Sequence, residues 1–348
     1  MATRERLQES ALEAPRTSDD PRATLSFQRA VPRALVHRAS IAEVFVTDAV
    51  QTTERDFLVA AQWPRDHALY HPDALGRHDP LLFAETIRQS MVYLAHQYFD
   101  IPLDQRFIGR SMDFSVTDPD ALRVRAEPLS VVLEAHWEWG QCKAPRQYGF
   151  RFDVVLTVDG RRCGHGSMDI VAVAERGYQI LRNRAADEQV KSGPASDRPL
   201  LRSRPMTGDS VGRLRGKDSV LEQSEGEQEW WLRLDPDHAI LFDHPSDHVP
   251  LMVTLEGFRQ LGHVLTHGSA SEQPGAAMPH ALVSCSVDCP TFGELDQAVE
   301  LVVLDHVDAT SGKRLHRMAA VQGGRTLATA TMLWAAQPLS AVSEGSAR

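Results

Sequence analysis

Two sets of acidic, amide, guanidinium and imidazole side chains recur at matching spacings in this chain. Glu85, Arg88, Gln89 and His96 reappear 171 residues on as Glu256, Arg259, Gln260 and His267, and Asp66-His67-Ala68 reappears in the same register as Asp237-His238-Ala239. At 100° per residue Glu85, Gln89 and His96 share one stripe of a helix, and Glu256, Gln260, His263 and His267 share the equivalent stripe. A carboxylate or imidazole so placed can take a proton from an attacking hydroxyl, and a guanidinium fork suits phosphate oxygens. Burying a carboxylate without partners costs on the order of several kcal/mol, so its presence twice on greasy helices implies a partner or a use. Two readings stay open. In one, Glu85 with Arg88 and Glu256 with Arg259 are intrahelical ion pairs that orient the helices. In the other, which the pattern favours, at least one glutamate faces a cavity.

A histidine-rich approach precedes each helix. In the first copy it runs Trp63-Pro64-Arg65-Asp66-His67-Ala68-Leu69-Tyr70-His71-Pro72, and in the second it includes Asp243-His244-Pro245-Ser246-Asp247-His248-Val249-Pro250. An aspartate beside a histidine can fix an imidazole tautomer or close a turn. Neither copy offers a third ligand at a convincing spacing, so no metal site is expected.

These residues need elements to hold them. Pro80 to Phe99 and Pro250 to Thr266 read as helices, the first apolar on nearly every side and therefore buried all round. After each helix the pattern changes to period two, with Asp159-Gly160 and Gly323-Gly324 as hairpin turns. One buried helix followed by long antiparallel strands, twice, predicts an α+β protein in which a curved sheet wraps each helix. The expected organisation is a disordered segment 1–30, domains at 31–175 and 206–337, a polar linker 176–205, and a disordered tail 338–348.

Lys and Arg number 37 against 47 for Asp and Glu, a formal charge of −10, and no basic block is interleaved with aromatics. Nucleic acid is therefore not an expected partner. The absence of an apolar leader or a run of about 18 apolar residues argues against export and membrane spanning. The four cysteines form no Cys-x-x-Cys and read as reduced thiols of a cytoplasmic protein.

The Pro-rich approach followed by an apolar helix bearing Glu and Gln resembles the hot-dog fold of acyl-thioester enzymes. More closely, the chain resembles the A-factor synthase (AfsA-like) family of γ-butyrolactone signal biosynthesis. The resemblance spans about Val36 to Trp334. It is carried by Val36-His37-Arg38, Trp63-Pro64-Arg65-Asp66-His67, Glu85 to Gln89, Asp243 to Pro250, Glu256 and Arg259-Gln260. It implies two tandem hot-dog domains and transfer of a β-ketoacyl group from an acyl carrier protein thioester to dihydroxyacetone phosphate, with no cofactor. Glu256, Glu85, His244, His248 and His67 are then the catalytic candidates. Arg88, Arg259, Arg65, Asp243, Asp247, Gln89, Gln260, His238 and Trp63 are candidates for holding substrate.

In hot-dog enzymes the cavity lies between copies. His67 or His71 is then expected near Glu256, and His238 or His244 near Glu85. Glu256 with the Asp243 to His248 loop is the favoured half of a working site, and Glu256→Gln is expected to abolish transfer at a nearly unchanged thermal midpoint. Arg202, Arg204, Arg213, Arg215 and Lys217 either form a docking patch for the acidic carrier protein or, slightly preferred, belong to a solvated linker. A homodimer is left open. The competing readings are a hot-dog thioesterase or 3-hydroxyacyl dehydratase, and a non-catalytic acyl-lactone-binding protein.

Overall fold

The computed structural model describes residues 20–140, 147–191, 203–224, 229–268, 279–309 and 312–337. Expectations that fall on 1–19, 338–348, Cys142 and Arg202 lie outside them. The first copy contributes strands β1 (Val46–Gln51), β2 (Asp56–Trp63), β3 (Arg106–Val116), β4 (Leu129–Trp139), β5 (Gln147–Val158) and β6 (Arg161–Val173). After helix α2 (Glu175–Lys191), the second copy contributes β7 (Ser203–Pro205), β8 (Leu221–Ser224), β9 (Trp230–Leu232), β10 (His280–Asp288), β11 (Val299–Ala309), β12 (Lys313–Gln322) and β13 (Arg325–Ala336).

All of these strands join one 13-stranded sheet in the order β1-β2-β4-β5-β6-β3-β10-β13-β12-β11-β9-β8-β7. The two halves fuse where β3 pairs antiparallel with β10, from Ser111↔Asp288 to Ser115↔Ser284. Helices α1 (Leu81–Gln97) and α3 (Leu251–His267) pack on the sheet, one per half. This is the tandem hot-dog arrangement. Asp159 and Gly160 take φ of 51° and 74°, and Gly323 and Gly324 take 56° and 76°. Positive φ at both central residues matches the right-handed twist of the strands they join, as the sequence predicts.

From Leu81 to His96 every residue of α1 except Arg88 is buried, which fits its nearly all-round apolar composition. The sheet makes room for it with small residues. A Cβ at Gly166 on β6 would lie 2.6 Å from Ile87 Cδ1 of α1 and 2.7 Å from the Asp113 carbonyl oxygen, so the helix and a backbone group both reach into glycine's space.

The stretch 176–205, expected as a linker, differs from a simple polar tether, because α2 occupies much of it. Tyr178, 2% exposed, anchors that helix: its hydroxyl donates to Asp247 at 2.5 Å, and Arg182 pairs with Glu294 at 2.7 Å. Residues 20–30 also pack on the first half. Asp48 accepts the Ser26 N–H, and Arg22 pairs with Glu134. Cys163 and Cys285 are buried, Cys289 is half-buried, and all three are free thiols. No helix among the described residues is long and apolar enough to cross a membrane.

Gly166→Ala should destabilise the fold by about 1–3 kcal/mol, the range for overpacking a tight core. Urea melts would check this, and an unchanged midpoint would refute the packing account.

Candidate functional site

Each buried glutamate is the hub of a network of three side chains supplied by two segments. Glu85 is paired with Arg38 at 2.6 Å, with Arg88 one helical turn on at 2.8 Å, and with the Gln89 amide at 2.7 Å. Glu256 is paired with Arg213 at 2.5 Å, Arg259 at 3.1 Å and the Gln260 amide at 2.6 Å. The outer shell repeats as well. Gln89 also binds the Glu43 carbonyl and the Phe45 N–H, and Gln260 binds the Asp218 carbonyl and the Val220 N–H. The duplication therefore includes Val36, Arg38 and Glu43, matched by Val211, Arg213 and Asp218. The sequence reading missed this stretch as a repeat because it lies 175 rather than 171 residues apart. A four-residue gap and the shared Val-x-Arg were the available signal.

The arginines also tie the halves together. Arg213 donates to the Leu69 carbonyl at 2.8 Å and pairs with Asp79 at 2.6 Å, while Arg38 reaches the Ile240 carbonyl at 3.4 Å and stands 3.9 Å from Asp243. Burial alone would raise the carboxyl pKa of Glu85 and Glu256. The guanidinium charges and their hydrogen bonds outweigh it and hold both at about 2. Both glutamates are therefore ionised near neutrality with their oxygens committed to arginine and amide partners, and neither faces open space, being 1% and 0% exposed. The cavity-facing reading is corrected here for both.

Other expectations change for equally local reasons. His67 and His238 are buried loop staples. Each Nδ1 accepts two backbone N–H groups, of Leu69 and Tyr70 or of Ile240 and Leu241, and each Nε2 faces a carboxylate, Glu43 at 3.2 Å or Asp218 at 3.3 Å. Trp63 is wholly buried, its indole N–H donating to Thr86. Arg65 is exposed and donates to the Arg125 carbonyl. His71 contacts the Pro72 carbonyl and not Glu256. Arg213 is 2% exposed and cannot join a surface patch, and Arg215 is held by Asp218 and the Ala68 carbonyl.

The Asp243 to His248 loop belongs to the Glu85 centre and not to that of Glu256. Asp243 accepts the N–H groups of Ala39 at 2.6 Å and Ser40 at 3.1 Å, and His244 is exposed beside it. Asp247 and His248 are bound by Tyr178, so α2 fixes the loop that leads into α3. Around the Glu85 centre, beside His96 of the predicted stripe, stand His37 and Phe107, which the sequence reading did not single out as site residues. His37 Nε2 lies 2.9 Å from His96 Nε2, and Phe107 lies edge-on to both rings at 5.2 Å. Burial, then the neighbouring His96, Arg88, His244 and Arg106, lowers the pKa of His37 to about 3. A separate cavity of about 850 Å³, lined by Asp113, Arg151, Ser167 and Ser286, lies on the opposite face of the sheet and holds none of these groups.

Two predictions follow from the buried charge. Glu256→Gln leaves Arg213 and Arg259 undercompensated and should cost about 3–5 kcal/mol, so the thermal midpoint falls, contrary to the expectation from sequence. Unfolding free energy should also fall steadily with acid. Below about pH 6.5 the unfolded chain binds protons that His37 and His263, lowered to about 3 and about 2, refuse. Below about 4.5 it binds protons that Glu85 and Glu256 refuse until about pH 2, so the contribution of these carboxylates, complete above 4.5, is lost across that window. Urea melts at stepped pH would show this, and a flat profile from 6.5 to 3 would contradict it.

The A-factor biosynthesis hotdog domain matches residues 20–174 and 195–338. A 2-oxo-3-(phosphooxy)propyl 3-oxoalkanoate synthase of Streptomyces virginiae is 37% identical over 297 residues, covering 85% of this chain and 95% of its own. One of the same name from Streptomyces coelicolor is 30% identical, covering 68% and 72%. Among solved structures, the 12:0-ACP thioesterase of Umbellularia californica overlaps 80% of this chain and 94% of its own at a TM-score of 0.44 and 10% identity, a likeness too low to speak to the site. With both halves of the chain matched and a relative covered almost end to end, this protein belongs to the A-factor biosynthesis hotdog family.

Proposed function

We propose that this chain transfers a 3-oxoacyl group from an acyl carrier protein thioester to a hydroxyl of dihydroxyacetone phosphate. What carries the reading is the end-to-end similarity to the Streptomyces virginiae synthase, whose name describes an ester of a 3-oxoalkanoate with a phosphorylated triose. The step balances without oxidant or reductant: a C–O bond forms, the C–S bond breaks, and the hydroxyl proton ends on the thiol.

The Glu85 centre has the features this reaction asks for. Arg88, held by Glu85 and the Val36 carbonyl through Nε and Nη2, has no partner among the described residues at Nη1 and is partly exposed. Its fork is pre-set for a phosphate oxygen, and His244 stands beside it. The N–H groups of Leu251 and Met252, in the first turn of α3, have no hydrogen-bond partner among the described residues. Free amides at a helix N-terminus stabilise the negative charge that grows on a thioester carbonyl oxygen. Asp243 and Asp247 hold the connecting loop in place. The phosphorylated acceptor and the free thiols favour a cytoplasmic setting.

Incubation with a 3-oxoacyl carrier protein and dihydroxyacetone phosphate should give the ester by mass spectrometry. Free 3-oxo acid formed equally well without the triose would instead favour a thioesterase. Arg88→Met should raise KM for the triose phosphate by about tenfold or more, the order of one lost charge-assisted contact, with a smaller change in kcat. An unchanged KM would remove Arg88 from phosphate binding.

A further inference from the structure

We propose that only the Glu85 centre turns over, and that its proton acceptor is Nδ1 of His37, held in the working tautomer by His96. The inference deepens the transferase reading and rests on it. The tautomer follows from hydrogen bonding alone. The Ile101 carbonyl, 2.6 Å from His96 Nδ1, can only accept, so that nitrogen carries the proton and a neutral His96 offers a lone pair at Nε2. His37 Nε2, 2.9 Å away, must then be the donor, and the lone pair of a neutral His37 is left on Nδ1. Burial lowers the pKa of both imidazoles, so the neutral forms prevail near pH 7. Nδ1 of His37 has no partner among the described residues, and the residue is only half-buried.

The backbone supplies an independent observation. His37 sits at φ 51° and ψ 53°, the left-handed region that side chains other than glycine adopt at a cost. The equivalent residue after Val211 is Gly212, at φ 66° and ψ 41°. The turn thus calls for glycine, and one copy has it. The other keeps an imidazole there despite the strain, on the side where Arg88 and His244 lie.

In the second centre the same space is closed. A Cβ at Gly212 would come within 2.7 Å of the His263 ring, which fills the position, and the counterpart of His263 in α1 is Val92. The helix end that this centre would borrow is also taken. Asp79 accepts the Leu81 N–H at 2.8 Å with one oxygen and Arg213 at 2.6 Å with the other, placing a carboxylate where an oxyanion would have to form. The corresponding end of α3 carries no such cap. Its Leu251 side chain lies 3.2 Å from the Cβ position of Gly109 on β3, two residues from the Phe107 ring that packs on His37 and His96. β3 thus joins the acceptor side of the site to the acyl side.

In the step proposed, Nδ1 takes the proton of the triose hydroxyl as its oxygen attacks the thioester carbon. The imidazolium then returns that proton to the departing thiolate, giving ester and thiol.

His37→Gly is the decisive variant, because Gly212 shows that the turn accepts glycine. Its thermal midpoint should equal or exceed that of the parent. Its kcat should fall about 10²–10⁴-fold, the usual contribution of a positioned base, and free imidazole should restore part of it. His96→Asn should lower kcat less, as a positioning residue, and move the acid limb of the pH–rate profile. His263→Val should turn over within about twofold of the parent. A parent enzyme that forms no ester overturns the transferase reading and this inference with it. A parent that forms ester while His37→Gly keeps its rate, or loses it without imidazole rescue, overturns the role of His37 alone. A collapse of turnover in His263→Val overturns the single-centre assignment.

Discussion

A carboxylate inside an apolar helix must be neutralised, and in this protein that constraint organises both halves. Glu85 and Glu256 each receive one arginine from their own helix, Arg88 or Arg259, and one from the short turn that precedes β1 or β8, Arg38 or Arg213. The second arginine does more than compensate charge. Its remaining N–H groups reach a backbone carbonyl of the opposite half, Ile240 or Leu69, so the ion pair that allows the glutamate to be buried also docks the two copies. Removing one charge from such a network is far more damaging than never having built it, because the partner is left buried and alone.

With the glutamates committed to holding charge, the proposed chemistry falls to the groups at the edge of the network. At the Glu85 centre these are Arg88, His37 and His244, all with some access to solvent. The Asp243 loop, α2 and the start of α3 converge there from the second copy. At the Glu256 centre the same architecture is filled in by His263, whose ring occupies the space beside Gly212, and by Asp79. Duplication supplied two frames, and a few side chains distinguish an open one from a closed one.

The sequence itself carried the architecture. Period-two strands, Asp159-Gly160 and Gly323-Gly324 turns, and an almost wholly apolar α1 each dictate local conformation, and their repetition at fixed spacing dictates two copies of one fold. It also marked Glu85, Gln89, Glu256 and Gln260 as residues under constraint. What it could not say is what the constraint was. The ion-pair reading and the cavity reading require the same residues at the same positions on the helix, and only the location of Arg38 and Arg213 separates them.

Those arginines lie 47 and 43 residues from the glutamates they neutralise, a separation across which no local pattern operates. The same holds for Asp243 meeting Ala39, for Asp79 meeting Arg213, and for His37 meeting His96: each contact is made by the folding of the chain and not by its order. Residue types and their periods determined the elements and the duplication, because those depend on neighbours a few positions away. Protonation states and, in the proposed mechanism, the division of labour between the two centres and the choice of His37 over a glutamate depend on contacts that only the folded chain makes. Charge, burial and hydrogen-bond geometry are properties of what surrounds an atom in space.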